Sequence, residues 1–298
     1  MRIFITGATG LIGTALCQTL LAQGHRITAL TRNEHHAKTH FKGLILNYCS
    51  DLTALHHFNE FDAIINLAGE PIFDKRWTVR QKRELVASRV QLTQTLVEKI
   101  NASDNPPEVL ISGSAIGFYG NVTQREVDEH ADAGTGFAAE LCQRWENAAL
   151  NATCRVCLLR TSMVLATTGG ALAKMLPLYK LGLGGRIGSG TQHWAWIHLE
   201  DMVNIILFLL NHSQCQGPFN CCSPHAVTNA AFNRTLAHTL RRPHFAFVPA
   251  FVLKFVLGER AQLLLDNQSI IPKQLCQAGF QFQYPKLTPA LDALLAEC

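Results

Sequence analysis

Short apolar runs alternate with longer amphipathic segments through the first half of the sequence. Strand-like runs are expected at residues 2–5, 27–30, 44–47, 63–66, 109–112 and 156–160. Helical patterns lie between several of these runs, notably over residues 11–22 and 78–101. Because such alternation is typical of a parallel sheet covered on both faces, the pattern predicts an α/β fold with a doubly wound parallel sheet.

The pattern is looser beyond about residue 165. A helix is expected from Gly169-Gly170 toward Leu181. A glycine-rich stretch follows over residues 182–190, and we interpret it as a flexible segment beside a cleft. From about residue 243 the sequence predicts short helices joined by prolines.

The segment Thr6-Gly7-Ala8-Thr9-Gly10-Leu11-Ile12-Gly13 lies between the first strand-like run and the first helix. Strand, glycine turn and helix form the arrangement that binds a dinucleotide pyrophosphate at a helix N-terminus. The first glycine permits a tight turn, the second lets the backbone approach the phosphates, and the third lets the helix pack closely on the strand. The alternative is a tight turn that binds nothing. The predicted cofactor contacts are Gly7, Thr9, Gly10, Leu11, Ile12 and Gly13.

The end of the second predicted strand indicates which dinucleotide is bound. NAD-binding units usually place an acidic residue there, whereas an arginine accommodates the 2′-phosphate of NADP. Here the strand ends in Leu30-Thr31-Arg32-Asn33, without an acid. Thr31 can donate a hydrogen bond and Arg32 can pair with the phosphate, so NADP(H) is the predicted cofactor. The alternative is a solvated surface arginine.

These features divide the chain into two predicted parts. Residues 1–165 are expected to form a Rossmann-like, NADP-binding domain. Residues 166–298 are expected to form a mixed α/β region on the substrate side. This region includes a helical C-terminal segment from about residue 243, which forms a small lobe, and some of its elements can return to the core.

The end of the fourth predicted strand carries further candidate residues, because ligands of open α/β sheets lie at the carboxyl ends of strands. Leu67, Ala68 and Gly69 follow residues 63–66 and are expected to pass under the nicotinamide ribose; the alternative is a plain turn. The segment 74–77, Asp-Lys-Arg-Trp, either holds an anionic substrate group or begins a solvated helix.

Candidate catalytic groups follow the fourth and fifth predicted strands. Ser112 is expected at the cofactor, and Ser114 is placed to polarise a substrate oxygen unless it is a turn serine. Tyr119 can transfer a proton if a cation of the 74–77 segment lowers its pKa, and Glu70 can do so if burial raises its pKa. Alternatively, Glu70 binds a ribose hydroxyl and Tyr119 packs in the cleft wall.

Composition narrows the functional classes. The net charge of +4 is too small to indicate nucleic-acid binding. Ten cysteines, scattered along the chain, indicate reduced thiols, and no metal site is predicted. The apolar run 245–257 contains Pro249 and Lys254 and is too short to span a bilayer. We expect a soluble, cytoplasmic protein that acts on a small molecule, without a nucleic-acid or membrane partner.

Together the motifs resemble the extended and atypical short-chain dehydrogenase/reductases along nearly the whole chain. The similarity is closest to the YfcH-type "epimerase family" branch, through residues 6–13, 66–71, 75–77, 88–89, 112–114, 119–120, 159–161, 181–190, 196–198 and the C-terminal segment. The resemblance implies a Rossmann-like core, a small C-terminal lobe and NADP(H) as cofactor. It also implies that Glu84 and Arg89 belong to the cofactor site, that Val164 flanks the nicotinamide and that Asp51 lies beside adenine.

One departure from the family pattern concerns catalysis. Catalytic short-chain dehydrogenases use Tyr-x-x-x-Lys on the helix after the fifth strand, where the lysine lowers the pKa of the tyrosine. Here Phe137 and Leu141 occupy these positions, and neither side chain can carry a proton. The sequence therefore predicts an NADP(H)-dependent oxidoreductase on a small substrate, with a rearranged proton donor. The alternatives are an inactive NADP(H)-binding sensor or scaffold and a nucleotide-sugar epimerase.

Overall fold

The computed structural model describes residues 1–122 and 126–296. The strands are β1 (Arg2–Thr6), β2 (Arg26–Leu30), β3 (Asn47–Cys49), β4 (Ala63–Asn66), β5 (Val109–Ala115), β6 (Arg155–Thr161), β7 (Met163–Leu165), β8 (Gly185–Ile187), β9 (His193–Trp194), β10 (Trp196–His198), β11 (Gly217–Cys221), β12 (Val227–Thr228) and β13 (Ala246–Val248). The α-helices are α1 (Leu11–Ala22), α2 (Glu34–His40), α3 (Val79–Val86), α4 (Leu92–Asn101), α5 (Phe137–Ala149), α6 (Gly170–Lys180), α7 (Leu199–Asn211), α8 (Asn229–Thr239), α9 (Ala250–Leu257), α10 (Gln262–Leu265), α11 (Lys273–Gln277) and α12 (Leu287–Leu295).

Seven strands form one parallel sheet in the order β11-β6-β5-β4-β1-β2-β3. Neighbouring strands pair in parallel throughout, with Thr6 opposite Asn66 and Asn66 opposite Ser112. The chain builds the sheet outward from β1 in both directions, so the carboxyl ends of β1 and β4 mark the switch point where such sheets bind ligands. The predicted doubly wound, Rossmann-like fold is confirmed.

Helices cover both faces of this sheet because its strands alternate between two apolar clusters. Ile3 and Ile5 of β1 pack in one cluster with residues of α1 and α7, such as Leu16 and Ile206. Phe4 packs on the opposite face, in a cluster that includes residues of α4. Strands that are buried on both faces read as continuous apolar runs, and this explains why most of them could be located from sequence.

Two predicted elements differ from those observed. The third strand is Asn47–Cys49 rather than the predicted 44–47. The predicted range includes Ile45, whose side chain is 91% exposed and therefore does not belong to a buried strand. The predicted helix over 78–101 begins with Thr78 as its N-cap and contains a π-helical turn, Ala87–Gln91, between α3 and α4.

The predicted division near residue 165 does not mark the end of the sheet. Helix α7 packs against α1, and β11 adds the outermost strand beside β6, so residues 199–221 belong to the core. The C-terminal lobe has its own apolar cluster, to which α6, α8 and α12 contribute. Asp201, near the start of α7, fixes the tail because its two carboxylate oxygens accept hydrogen bonds from the N–H groups of Gln283 and Tyr284.

Two glycines of the stretch 182–190, Gly184 and Gly185, allow close packing, while the predicted flexibility of this stretch stays a prediction. A Cβ on Gly185 would lie 1.7 Å from the carbonyl oxygen of Ala246, its neighbour across the parallel pair β8–β13. A Cβ on Gly184 would lie 2.5 Å from the ring of Tyr179. Among the described residues, no helix is both long and apolar enough to cross a bilayer.

Candidate functional site

The glycine turn joins three segments of backbone at close range. Gly7 has a φ of +72°, which favours glycine, and a Cβ there would lie 2.7 Å from the carbonyl carbon of Leu67 after β4. A Cβ on Gly13 would lie 2.2 Å from the carbonyl oxygen of Gly7. The N–H of Gly10 donates to the same oxygen over 3.0 Å. Close packing of the backbone is therefore enough to require glycine at residues 7 and 13, whether or not a ligand binds.

The middle of the turn faces solvent at the N-terminus of α1. Thr9 and Gly10 are exposed, and Leu11 and Ile12 are half-buried. In the described part of the chain no side chain caps this helix, and its first turn contains no acidic residue. Such an end offers free N–H groups and the positive end of the helix dipole to an anion.

A buried hydrogen-bond network holds the strand ends behind the turn. The Thr6 hydroxyl donates to Asn66 Oδ1 over 2.7 Å and accepts from the N–H of Ala68 over 3.1 Å. Asn66 Nδ2 donates to the hydroxyls of Thr93 and Ser112. Ser112 is fully buried, and its hydroxyl accepts from Asn66 at the end of β4. Its contact with the cofactor stays a prediction.

Arg32 lies on the surface directly after β2 and forms no hydrogen bond or ion pair with a described residue. The Thr31 hydroxyl donates to the carbonyl oxygen of Asn33, so in this structure it shapes the turn. Asp51 follows β3 and caps the short 3-10 turn Leu52–Ala54 through the N–H of Thr53. The pairs β1–β2 and β2–β3 therefore place Arg32 and Asp51 at the edge of the sheet that carries the glycine turn.

The π-helical turn directs two side chains at the loop after β4. The Ser88 hydroxyl accepts from the N–H of Glu70 over 3.0 Å, and the Arg89 guanidinium donates to the carbonyl oxygen of Glu70 over 2.9 Å. A Cβ on Gly69 would lie 2.9 Å from Arg89 Cζ, so a larger residue there would require this guanidinium to shift. Arg89 thereby positions Leu67, Ala68 and Gly69, and burial lowers its pKa.

Two other predicted cofactor contacts, Glu84 and Val164, come from α3 and β7. Glu84 is paired with Arg80 on the same helix, over 3.0 Å. The pKa of Lys75 is raised mainly by its bond to Glu70 and to a smaller extent by the charge of Glu84. Val164 belongs to β7, and its carbonyl oxygen lies 3.3 Å from the position that a Cβ on Gly170 would occupy. That same Cβ would contact Leu11 of α1, so Val164 lies close to the glycine turn.

A closed polar cluster occupies the ends of β5 and β6. Ser114 donates to Glu146 over 2.6 Å, and Arg160 binds both oxygens of Glu146 over 2.8 Å. Tyr119 donates to Asn220 over 2.7 Å and accepts from Arg160 over 2.8 Å. All five side chains are buried, so the hydroxyls of Ser114 and Tyr119 are already engaged within the protein.

The predicted pKa shifts of the two proton-transfer candidates are wrong. Burial raises the pKa of Tyr119 to about 12, and its nearby cation is Arg160 rather than a residue of segment 74–77. The Lys75 ammonium, 2.8 Å from Glu70, holds the pKa of that carboxyl below its usual range. Near neutral pH, Tyr119 therefore stays protonated and Glu70 stays ionised, and neither is tuned for proton transfer.

The two residues that the resemblance aligns with the Tyr-x-x-x-Lys pair lie in an apolar cluster. Phe137 packs edge-on against Trp77, with ring centroids 5.1 Å apart, and Leu141 is buried beside Trp145. Arg76, which we considered as a ligand for substrate, instead donates to the carbonyl oxygens of Phe255 and Val256. Its guanidinium therefore links segment 74–77 to the C-terminal lobe.

Sequence analysis missed Glu146, Arg160 and Asn220. The available signal was Arg160, a charge inside the apolar run 156–160, because a buried charge requires a partner. The identity of the partner depends on the fold, since Glu146 comes from α5 and Asn220 from β11.

Comparison with known proteins identifies the family. The sequence model of the NAD dependent epimerase/dehydratase family matches residues 3–222, and that of a domain of unknown function, DUF1731, matches residues 248–294. The chain therefore belongs to the NAD dependent epimerase/dehydratase family and carries the DUF1731 segment at its C-terminus.

Its relatives share the name "epimerase family protein". The chloroplastic SDR39U1 homolog of Arabidopsis thaliana is 37% identical over 304 residues, covering 99% of this chain and 87% of that protein. The Staphylococcus epidermidis protein SERP0438 is 36% identical over 298 residues, covering 99% of both chains.

Solved structures agree with this assignment. The human epimerase family protein SDR39U1 (isoform 2), crystallised with NADPH, has a TM-score of 0.91 and 33% identity and covers 100% of both chains. A nucleoside-diphosphate sugar epimerase from Corynebacterium glutamicum has a TM-score of 0.77 and 28% identity, covering 100% of this chain and 58% of that one. The predicted resemblance to the short-chain dehydrogenase/reductases is confirmed.

The first prediction separates binding from packing in the glycine turn. Gly10→Val should abolish NADPH binding while the fold survives, because residue 10 has extended backbone that valine adopts and its side chain would fill the phosphate space. Gly13→Val is the matched comparison and should lower the free energy of unfolding by about 1–3 kcal/mol or more through overpacking. Fluorescence titration and thermal melting measure the two effects, and wild-type affinity in Gly10→Val would contradict the assignment.

Proposed function

We propose that this protein is an NADP(H)-binding oxidoreductase whose cofactor site lies at the carboxyl ends of β1, β2 and β4. The observation that carries the proposal is the exposed Arg32, which has no hydrogen bond or ion pair with a described residue, beside a glycine turn whose helix no described side chain caps. A guanidinium suits the 2′-phosphate that distinguishes NADP from NAD. The NADPH in the crystals of human SDR39U1, similar over its whole length, supports the same choice.

The residues of the cleft fit this cofactor. The N–H groups at the start of α1 would hold the pyrophosphate, with Gly10 leaving space for it. Arg32 would hold the 2′-phosphate, and Arg89 would keep the loop of Leu67, Ala68 and Gly69 in position. When bound, NADPH supplies a hydride for reduction.

The surrounding side chains argue against a tyrosine acid. Phe137 and Leu141 cannot carry a proton, and burial raises the pKa of Tyr119, whose hydroxyl is already bonded to Asn220. Glu70 is ionised and paired with Lys75. We therefore infer that water or the substrate supplies the proton, and that the protein contributes binding and orientation.

The substrate would enter between the segment after β5 and the C-terminal lobe. A cavity of about 710 Å³ lies there, lined mainly by uncharged polar side chains such as Asn121, Thr191, Gln192 and Asn267. Its described lining also includes Glu126 and His193, and these polar groups suit hydrogen bonding to a small polar molecule. The anionic substrate suggested by segment 74–77 is less well supported, because Arg76 is bound to the C-terminal lobe.

A second candidate is a protein that binds NADP(H) without turnover. The apolar cluster around Phe137 and the fully engaged hydroxyls of Ser114 and Tyr119 favour it, since both remove standard proton transfer from the cleft. Nucleotide-sugar epimerisation is less well supported, despite the names of the relatives, because the positions of the Tyr-x-x-x-Lys pair are apolar.

The second prediction concerns cofactor choice. Arg32→Ala should weaken NADPH binding about tenfold to a hundredfold and leave NADH binding nearly unchanged, because a charge-assisted hydrogen bond contributes about 1.5–3 kcal/mol. Arg26→Ala, at the opposite end of the same strand, is the matched control and should change neither affinity. Calorimetry measures the affinity of each variant for both cofactors. Equal losses of affinity for NADPH and NADH in Arg32→Ala would contradict the assignment of Arg32 to the 2′-phosphate.

The third prediction concerns turnover. A panel of carbonyl compounds should reveal NADPH oxidation, and Tyr119→Phe and Glu70→Gln should each turn over within about threefold of wild type. Tyr119→Phe should nonetheless lower the free energy of unfolding by about 1–2 kcal/mol, because Arg160 and Asn220 each lose a partner. A fall in turnover of about 10²–10⁴ in either variant would identify that residue as the acid or base. No turnover of wild type on any compound would favour the binding protein instead.

A further inference from the structure

The C-terminal lobe exposes a continuous set of large apolar side chains, here called the lobe patch. Its aromatic members include Phe245 and Phe255, which are 83% and 84% exposed. The lobe patch consists of Leu178, Leu181, Leu183, Phe245, Phe247, Phe251, Phe255 and Val256. Exposed apolar groups of this number in one place mark an interaction surface.

Two segments of the chain build the lobe patch, and they touch each other. Strands β8 and β13 pair in parallel, and a Cβ on Gly182 would lie 3.1 Å from Pro243. The Arg186 guanidinium lies over the Phe247 ring, 4.9 Å from its centroid. The apolar side chains of residues 178–183 and 245–256 therefore belong to one surface.

Helix α9 presents its apolar residues outward on a fixed support. It reads Ala-Phe-Val-Leu-Lys-Phe-Val-Leu, and not one of its residues is buried. Arg76 binds two carbonyl oxygens at its C-terminal end, and Lys82 pairs with Glu259 just beyond it, over 2.6 Å. Backbone carbonyl groups of the helix and the side chain of Glu259 thus hold it to the core, while Phe251 and Phe255 face solvent.

Two longer stretches of the chain, which contain these two segments, carry basic but no acidic residues. Residues 169–199 and 229–258 contain no aspartate or glutamate, although the whole chain has 22 of them. Their basic residues are Lys174, Lys180, Arg186, Arg234, Arg241, Arg242 and Lys254. Within these two stretches every charged side chain is therefore basic, and Lys174 is paired with Asp74. Acidic residues of the C-terminal segment, such as Glu259, Asp266 and Asp292, lie outside them.

A cationic cavity of about 420 Å³ adjoins the lobe patch. It lies at the C-terminal end of α8, and its lining includes Ala237 and His244, the residue before Phe245 in the sequence. None of the five basic side chains around it hydrogen-bonds or pairs with another described residue. These side chains are Arg234, His238, Arg241, Arg242 and His244.

We propose that this face of the lobe docks on a membrane surface rich in anionic phospholipids. The phenylalanines would enter the boundary between headgroups and acyl chains, and the arginines around the cavity would bind phosphate groups. Headgroup and acyl chain are adjacent in a phospholipid, as the cationic cavity and the lobe patch are adjacent here. A second copy of the chain fits less well, because a two-fold interface would bring the positive faces of both copies together.

The sequence alone predicts no membrane partner, because the apolar run 245–257 is too short to cross a bilayer. A segment that lies along the surface needs no such length, since it requires only an exposed apolar face flanked by cations. Whether an apolar run is exposed is a property of the fold, which places Phe251 and Phe255 outside the core.

Vesicle flotation of the full chain tests the proposal. Wild type should float with vesicles of equal phosphatidylcholine and phosphatidylglycerol, but not with phosphatidylcholine alone, and added salt should weaken the association. The double variant Arg242→Gln, Lys254→Gln should lower the partition coefficient about fivefold for each cation removed. Phe251→Ser combined with Phe255→Ser should lower it by about tenfold or more.

The matched control is Lys42→Gln combined with Ile45→Ser, which removes an exposed cation and an exposed apolar side chain far from the lobe. It should float like wild type, and all variants should melt within a few degrees of wild type because the altered side chains are exposed. Failure of wild type to float, or equal flotation with neutral vesicles, would overturn the proposal. A dimer, detected by light scattering and lost in the phenylalanine variant, would assign the lobe patch to self-association and would also overturn it.

Discussion

Three segments of backbone meet at Gly7 with no side chain between them, and the geometry of the cleft follows from that contact. The start of α1 lies against the carbonyl of Gly7, and the segment after β4 lies against its α-carbon. This close approach leaves the N-terminus of α1 uncapped at the sheet edge, beside Arg32. The packing requirement at Gly7 and Gly13 and the binding site at Gly10 are thus consequences of one turn.

Behind this turn, the residues that the resemblance aligns with the family's proton-transfer pair make structural contacts. Phe137 and Leu141 pack in an apolar cluster, while Glu146 and Arg160 form a buried ion pair that engages Ser114 and Tyr119. A buried pair of this kind is stable only when its remaining hydrogen bonds are satisfied, as they are here. The glycine turn therefore retains the features of cofactor binding, while Tyr119 and Glu70, the two candidates for proton transfer, are not tuned for it.

Local signals explain what could be predicted from sequence. The glycine turn, α1 and the buried strands depend on residues adjacent in the chain, and they were located correctly. Tyr119 was misjudged because its partner Asn220 is 101 residues away. Likewise, Ile45 and Phe255 belong to apolar runs, but only the fold determines that both face solvent. Hydrophobic patterning thus located most of the strands, while long-range contacts decided the chemistry of the side chains between them.

Crystals grown with NADPH provide the most direct test of the cofactor site. We expect the 2′-phosphate within hydrogen-bond distance of the Arg32 guanidinium and the pyrophosphate against the backbone N–H groups of residues 10–12. We also expect the bonds from Arg160 to Glu146 and Tyr119 to remain unchanged. A cofactor bound elsewhere, or one whose 2′-phosphate points away from Arg32, would contradict the assignment of this cleft to NADP(H).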